Sequence, residues 1–498
     1  MAATEEDRFY LKVMTIKESC KVLYAEVDSE FADVLLSFLT LPLGTIMRLL
    51  IEHYGNNAPI LGSLKSLYVG LQNLDGCHFW TEAGKLMLLN PRNSSDMHCS
   101  RLKLQIDDIC PIQCFVCCNG TCTSVYDKVK CLCPNSAGIM TKRDLEIEPP
   151  RGEDSLEEAG IMTKRDLEIE PPRGEDSLEE GVFTVQKASF LLTDDLQVLP
   201  NSPISLLRIL KLNGVEDTNV IEERTLIFGL KEIMELLKGS LVSRTPLTDI
   251  IGGISAAAAS YKTRRNFLMS AICEQDELPR TSVKITIEAL VHYSTKRILL
   301  AQSRQDFVDF LFSLLTIPLG CVQFLLDNRT CFWSINNLYR SISKLEIGEH
   351  MRSKDTKSRL LDPELPPYYL SSSQIFPLEE QSSPQLYRLR DGNQLKLFES
   401  LPKDIWREMK MIDPKGKDCF VKGPTTFMVT DDLVVSIPSS TSMISILNQM
   451  KIPLSEVKVR ELEIGIEEAL SILKASLIST HALTEGLKPF LKRQANWK

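Results

Sequence analysis

Apolar side chains at Phe31, Val34, Leu35, Phe38 and Leu39 fall at i, i+3, i+4, i+7 and i+8, which is the spacing of one buried helix face. Phe307, Phe310, Leu311, Leu314 and Leu315 reproduce that stripe further along the chain. Ahead of the first stripe, residues 11–16 and 21–26 read as two strands around the turn-rich Lys17-Glu18-Ser19-Cys20, predicting a β-hairpin. A proline disfavours helical geometry in the residue before it, so Leu41-Pro42 and Ile317-Pro318 should end one helix and let another begin. Each Pro-Leu-Gly is therefore expected to be a helix–helix corner. Later, 190–198 reads as a strand interrupted at Thr193-Asp194-Asp195, followed by helices near 202–212 and 221–237. The same series is expected at 427–435, 442–450 and 457–473. The fold class is α+β.

These patterns recur because the chain repeats itself. Phe31 to Gly44 returns as Phe307 to Gly320, with nine of fourteen positions identical at an offset of 276. Phe190 to Val198 returns as Phe427 to Val435, and Leu236-Leu-Lys-Gly-Ser-Leu241 as Ile472-Leu-Lys-Ala-Ser-Leu477. Three matches in one order predict two tandem homologous modules, each a β-hairpin plus helices. The expected bounds are 1–249 and 283–498, joined by a linker at 250–282 that opens on Gly252, Gly253 and a run of alanines. The ordered set of phenylalanine-led helix, Pro-Leu-Gly corner, cysteine knuckle and Thr-Asp-Asp-Leu strand resembles the plant family of domain of unknown function 674. That resemblance covers nearly the whole chain, implies a plant source, and implies no activity, cofactor or partner.

Two segments interrupt the modules. Ala137–Glu158 recurs without change as Ala159–Glu180, and the two copies carry −8 of the chain's net −9. Paired prolines and few aromatics predict that 137–180 is an acidic, disordered, solvated insert. The stretch of about 350–423, rich in Pro, Ser and charge, is expected to be a long loop.

With 43% hydrophobic and 25% charged residues, the 498-residue chain has ample material for globular cores. Its acidic balance argues against bulk nucleic-acid binding. The acidic start, Met1 to Asp7, lacks the apolar core of a signal peptide. The longest apolar run, 310–326, is broken by Pro318, Gly320 and Gln323, so no membrane span is expected. A cytoplasmic or nuclear location follows, in which the 14 cysteines stay reduced unless a metal holds them.

Seven of those cysteines, Cys110, Cys114, Cys117, Cys118, Cys122, Cys131 and Cys133, fall within 24 residues. A CxxC turn offers two thiolates to one zinc ion, and Cys114-x2-Cys117 has that spacing. Cys131-x-Cys133 is a tighter second pair, and the family resemblance favours the same two pairs. The expected metal ligands are thus Cys114, Cys117, Cys131 and Cys133, with Zn in a structural role, because four thiolates close its coordination sphere. Cys110, Cys118 and Cys122 stand as alternative ligands, as do the flanking His78 and His98. The second module has only Cys419 in the corresponding region.

The Thr-Asp-Asp pairs offer carboxylates for acid–base work, but adjacent strand residues point to opposite faces, and a turn explains them. GxSxG, P-loop, HExxH and GxGxxG signatures are all missing. No catalytic or cofactor-binding residue is assigned. The sequence points to a non-enzymatic interaction or scaffold protein with a structural zinc knuckle and an unknown protein partner. The alternative is an enzyme with a pocket between the modules using Asp194, Asp195 or their counterparts. Nucleic-acid binding through the knuckle ranks third, since 110–133 offers only Lys128 and Lys130 against Asp127.

Overall fold

The computed structural model describes residues 8–107, 114–117, 119–131, 133, 138, 140–143, 181–252, 283–383, 386–389, 395–397 and 406–494. In the first half the strands are β1 (Phe9–Ile16), β2 (Val22–Asp28), β3 (Cys114–Val116), β4 (Cys122–Ser124), β5 (Thr141–Arg143), β6 (Ser189–Thr193), β7 (Val198–Pro200) and β8 (Ile221–Phe228). In the second they are β9 (Ile285–His292), β10 (Arg297–Ser303), β11 (Leu386–Leu389), β12 (Leu395–Leu397), β13 (Trp406–Glu408), β14 (Lys410–Met411), β15 (Phe427–Thr430), β16 (Val435–Ser436) and β17 (Val457–Ile464). Two five-stranded antiparallel sheets have the same order, β7-β6-β2-β1-β8 and β16-β15-β10-β9-β17. The architecture is α+β, and the first sheet also carries the helix Pro203–Leu212 on its other face, with Ile209 buried against Leu23, Tyr24 and Leu191. Local detail repeats as well. The hairpin turns carry left-handed residues at matched positions, Cys20 (φ 53°) and Lys296 (φ 58°).

Each hairpin runs straight into its amphipathic helix, Ser29–Leu36 and Gln305–Ser313, and Phe31, Phe38, Phe307 and Phe310 are fully buried. Burying such a ring contributes roughly 1.5–3 kcal/mol. The helices stop where the prolines require. Pro42 and Pro318 adopt φ/ψ of −62/147° and −62/148° and start the helices Leu43–Tyr54 and Leu319–Leu325. The two corners meet each other. The Leu43 amide donates to the Ile317 carbonyl and the Leu319 amide to the Leu41 carbonyl, both at 3.0 Å. Gly44 and Gly320 make this approach feasible, since a Cβ there would sit 2.9 Å from the Leu315 carbonyl oxygen and 3.2 Å from that of Leu39. One apolar core therefore runs through both halves, from Phe9 to Leu491.

The halves also exchange arms. Buried Asp33 accepts from the amides of Val182, Phe183 and Thr184 and from the Thr184 hydroxyl. The loop it holds reaches the other half, where Arg352 donates to the Phe183 carbonyl and Val185 to that of His350. Asp309, at the same place in the repeat, accepts from the amides of Phe420 and Val421. That loop returns to the first half through Trp80 N–H to the Phe420 carbonyl and Lys422 N–H to the His78 carbonyl.

Three expectations are corrected. The helices expected over 221–237 and 457–473 are each a strand followed by a helix: β8 then Leu230–Val242, and β17 then Ile466–Ile478. β8 and β17 are edge strands loaded with Glu, Arg and Lys, and such charge, which guards a sheet edge, resembles the polar face of a surface helix. The stretch 350–423 is not one long loop, because it includes the helix Lys354–Leu361, and it buries Tyr369, Ile375, Phe376 and Phe420. Finally, the start of the first 22-residue copy is structured, with β5 paired to β3 and Met140 buried. Residues 144–180, and most of the linker (253–282), lie outside the described residues.

Candidate metal centre

The cysteine region is a small mixed sheet, β14-β4-β3-β5, whose first strand comes from the second half. β3 and β4 pair antiparallel, Phe115 opposite Ser124 and Val116 opposite Thr123. Asn119-Gly120 lies in the turn between them, where Gly120 adopts φ 63° and donates to the Cys117 carbonyl at 2.9 Å. Asn-Gly is a strong short-range hairpin signal because both residues tolerate positive φ. The hairpin brings Cys117 and Cys122 face to face, with the Cys117 amide donating to the Cys122 carbonyl at 3.0 Å. A second turn supplies the other two thiols. Cys131 is tied by its amide to the Gly138 carbonyl, and the Cys133 amide donates to the Cys131 sulfur at 3.1 Å.

The sulfurs of Cys117, Cys122, Cys131 and Cys133 all lie within 4.8 Å of one another. A tetrahedral zinc site with bonds of about 2.3 Å places its sulfurs roughly 3.8 Å apart. The group therefore fits a metal ion of that kind with small adjustments. Cys117, Cys122 and Cys131 are buried, and Cys133 is partly exposed.

Three of the four expected ligands are thus gathered, and Cys114 is not among them. Its thiol faces the Thr123 hydroxyl at 3.1 Å and packs with Val116 and Met409 on the opposite side of β3. The reason is strand geometry. Side chains alternate, so residues three apart in an extended segment cannot share a face, and Cys114-x2-Cys117 is not a knuckle here. Cys122 takes the place. The Asn-Gly turn between Cys117 and Cys122 is the sequence signal for that pairing. His78 instead sets its ring against Phe427, and His98 is half-buried beside Asp355 and Arg359. Cys110 and Cys118 lie outside the described residues.

Local hydrogen bonds prepare the sulfurs for a cation. Burial works against the Cys117 thiolate, yet the Thr121 hydroxyl and the amides of Cys122, Thr121 and Asn119 outweigh it and bring the thiol down to about 6. Cys131, Thr121 and Cys122 hold the Cys133 thiol below its usual range. Burial, then the neighbouring Cys133 and Cys131, pushes Cys122 up to about 12. A dication held there would offset that rise and favour the thiolate form of all four cysteines.

The Thr-Asp-Asp segments are turns, as expected. Thr193 Oγ1 donates to Asp195 Oδ1 at 2.6 Å and accepts from the Gln197 amide, and Thr430 repeats this with Asp432 and Val434. The paired carboxylates diverge. Asp194 accepts from the amide and hydroxyl of Thr248, whereas Asp195 turns to Thr193, Gln197 and Asn337.

A group of four thiols that could hold a metal ion thus sits on an α+β frame. The chain belongs to the family described as Protein of unknown function (DUF674), whose model matches residues 5–467. No curated protein and no solved structure matches it. No helix among the described residues is long and apolar enough to cross a membrane.

Proposed function

We propose that this chain is a non-enzymatic interaction or scaffold protein of the plant cytosol or nucleus, built from two copies of one module (1–249 and 283–498), with a zinc ion clasping them. The observation that carries the proposal is the convergence of four thiols on a sheet that both halves build. β14 lies parallel to β4, with Lys410 and Ile412 amides donating to the Thr121 and Thr123 carbonyls at 2.9 Å. Beside it, Thr81 Oγ1 donates to the Pro414 carbonyl, and Lys128 pairs with Glu82 at 2.5 Å. Four cysteine ligands leave zinc no open position for substrate, so its role is to hold structure. Thiolate ligation also suits a reducing compartment. The engagement of Lys128 and the acidic balance of the chain weigh against nucleic acid.

Purified protein should contain about one zinc per chain by elemental analysis. Cys122→Ser, or Cys117→Ser, should release it, and Cys114→Ser should retain it. Because β14 belongs to the second half, metal loss should also raise hydrogen exchange at residues 409–422. Absence of zinc, or full metal content in Cys122→Ser, would refute the assignment.

A further inference from the structure

We infer that the cleft between the Thr193-Asp194-Asp195 turn and Trp333 binds a small phosphate monoester. The cleft encloses about 330 Å³, within the range of roughly 300–1,000 Å³ typical of small-ligand sites. Lys21, Arg208 and Arg244 line it from the first half, and Trp333 closes it from the second. Three cations outnumber the two carboxylates on the wall, and the carboxylate oxygens are already engaged. Both Asp194 oxygens are taken by Thr248, and those of Asp195 by Thr193, Gln197 and Asn337. Among the described residues neither arginine is paired with a carboxylate. Lys21 donates to Asn213 Oδ1 at 3.0 Å, and Arg244 lies over the Trp333 ring at 4.8 Å.

The second half shows that this character does not follow from the fold. Arg297, in the place of Lys21, bonds Asp431 at 3.2 Å, and His481 sits 3.4 Å from the same carboxylate oxygen. Thr480 stands where the first half has Arg244. One half neutralises itself at this position, and the other leaves two guanidinium groups facing a cavity. Guanidinium forks suit tetrahedral or planar oxyanions, and a phosphate monoester brings close to two negative charges and three acceptor oxygens at neutral pH. Trp333 gives an apolar wall for the organic part.

The test is calorimetric titration of the full chain with glycerol 3-phosphate at low salt, followed in parallel by tryptophan fluorescence. One saturable site per chain is expected, weakened by salt. Arg208→Ala/Arg244→Ala should lower affinity by at least about tenfold, since charge-assisted hydrogen bonds are lost. Both arginines are exposed, so the variant should melt as the parent does. Arg297→Ala should bind unchanged, and Trp333→Phe should remove the fluorescence response. No saturable binding, binding untouched by the double substitution, or loss on Arg297→Ala would overturn the site. Succinate binding as tightly as glycerol 3-phosphate would overturn the phosphomonoester assignment.

Discussion

Replacing Asp33 by Ala tests whether buried carboxylates fasten the exchanged arms. The side chain is 2% exposed and serves three backbone amides and one hydroxyl of residues 182–184. With Ala the Thr184 hydroxyl can turn to the Ser29 carbonyl, already 3.4 Å away, but the three amides lose their acceptor. An unpaired buried donor costs ~1–3 kcal/mol, so the gross loss is about 5 kcal/mol. Against this stands the cost of the charge itself. Burial lifts the Asp33 carboxyl to about 6, despite the opposing hydrogen bonds from Thr184, Val182 and Phe183. A folded-state value raised by roughly two units makes the ionised form about 3 kcal/mol dearer in the fold. The sign follows directly. This group's favourable contribution is complete below its unfolded value and is lost as pH rises through about 6. Asp33→Ala should therefore cost about 5 kcal/mol near pH 4 and about 2 kcal/mol near neutrality. Urea unfolding at the two pH values measures this, and hydrogen exchange at Val182–Thr184 localises it. Asp33→Asn, which keeps the Oδ1 acceptor and drops the titration, should cost less than Ala and flatten the slope between those pH values. Equal costs for Ala at both pH values, or an Asn variant worse than Ala, would refute the reasoning.

Other outcomes follow from the same frame. Gly320→Ala should destabilise by at least ~2 kcal/mol, because its Cβ would stand 2.4 Å from the Leu360 carbonyl oxygen, in the helix Lys354–Leu361 packed on the corner, and 3.2 Å from that of Leu39 in the facing half. A thermal melt within a degree or two of the parent would count against this close packing around the second corner. Deleting Ala159–Glu180, expected from its composition to be solvated, should leave the melting temperature almost unchanged, since shortening such a segment changes closure entropy little. A fall of many degrees would mean that the copy packs. Cys122→Ser and Cys114→Ser, assayed side by side for bound zinc, separate the two possible ligand sets.

Patterns confined to short windows were legible. The hairpins, the Phe31 and Phe307 stripes, the proline corners and the Thr-Asp-Asp turns all arise from local rules of periodicity, φ restriction and side chain–backbone bonding, and each lies where those rules put it. Three of the four clustered sulfurs were equally visible, because turns in short cysteine spacings are local too. Cys114 stands apart from that group because CxxC presupposes a turn, and its segment is extended and paired to β5. β8 and β17 read as helical from sequence because an edge strand's charges hide its period until its partner is known. Other features needed the assembled molecule. Nothing in 31–44 or 307–320 alone says that the two corners bond to each other, or that Asp33 and Asp309 reach loops more than 100 residues away. The strand that β14 adds to the cysteine sheet, and the arginines left unpaired beside Trp333, are likewise contacts between distant segments. Such contacts are decided by how two curved, apolar helix faces close on one another, a property of packing that no single stretch of sequence carries.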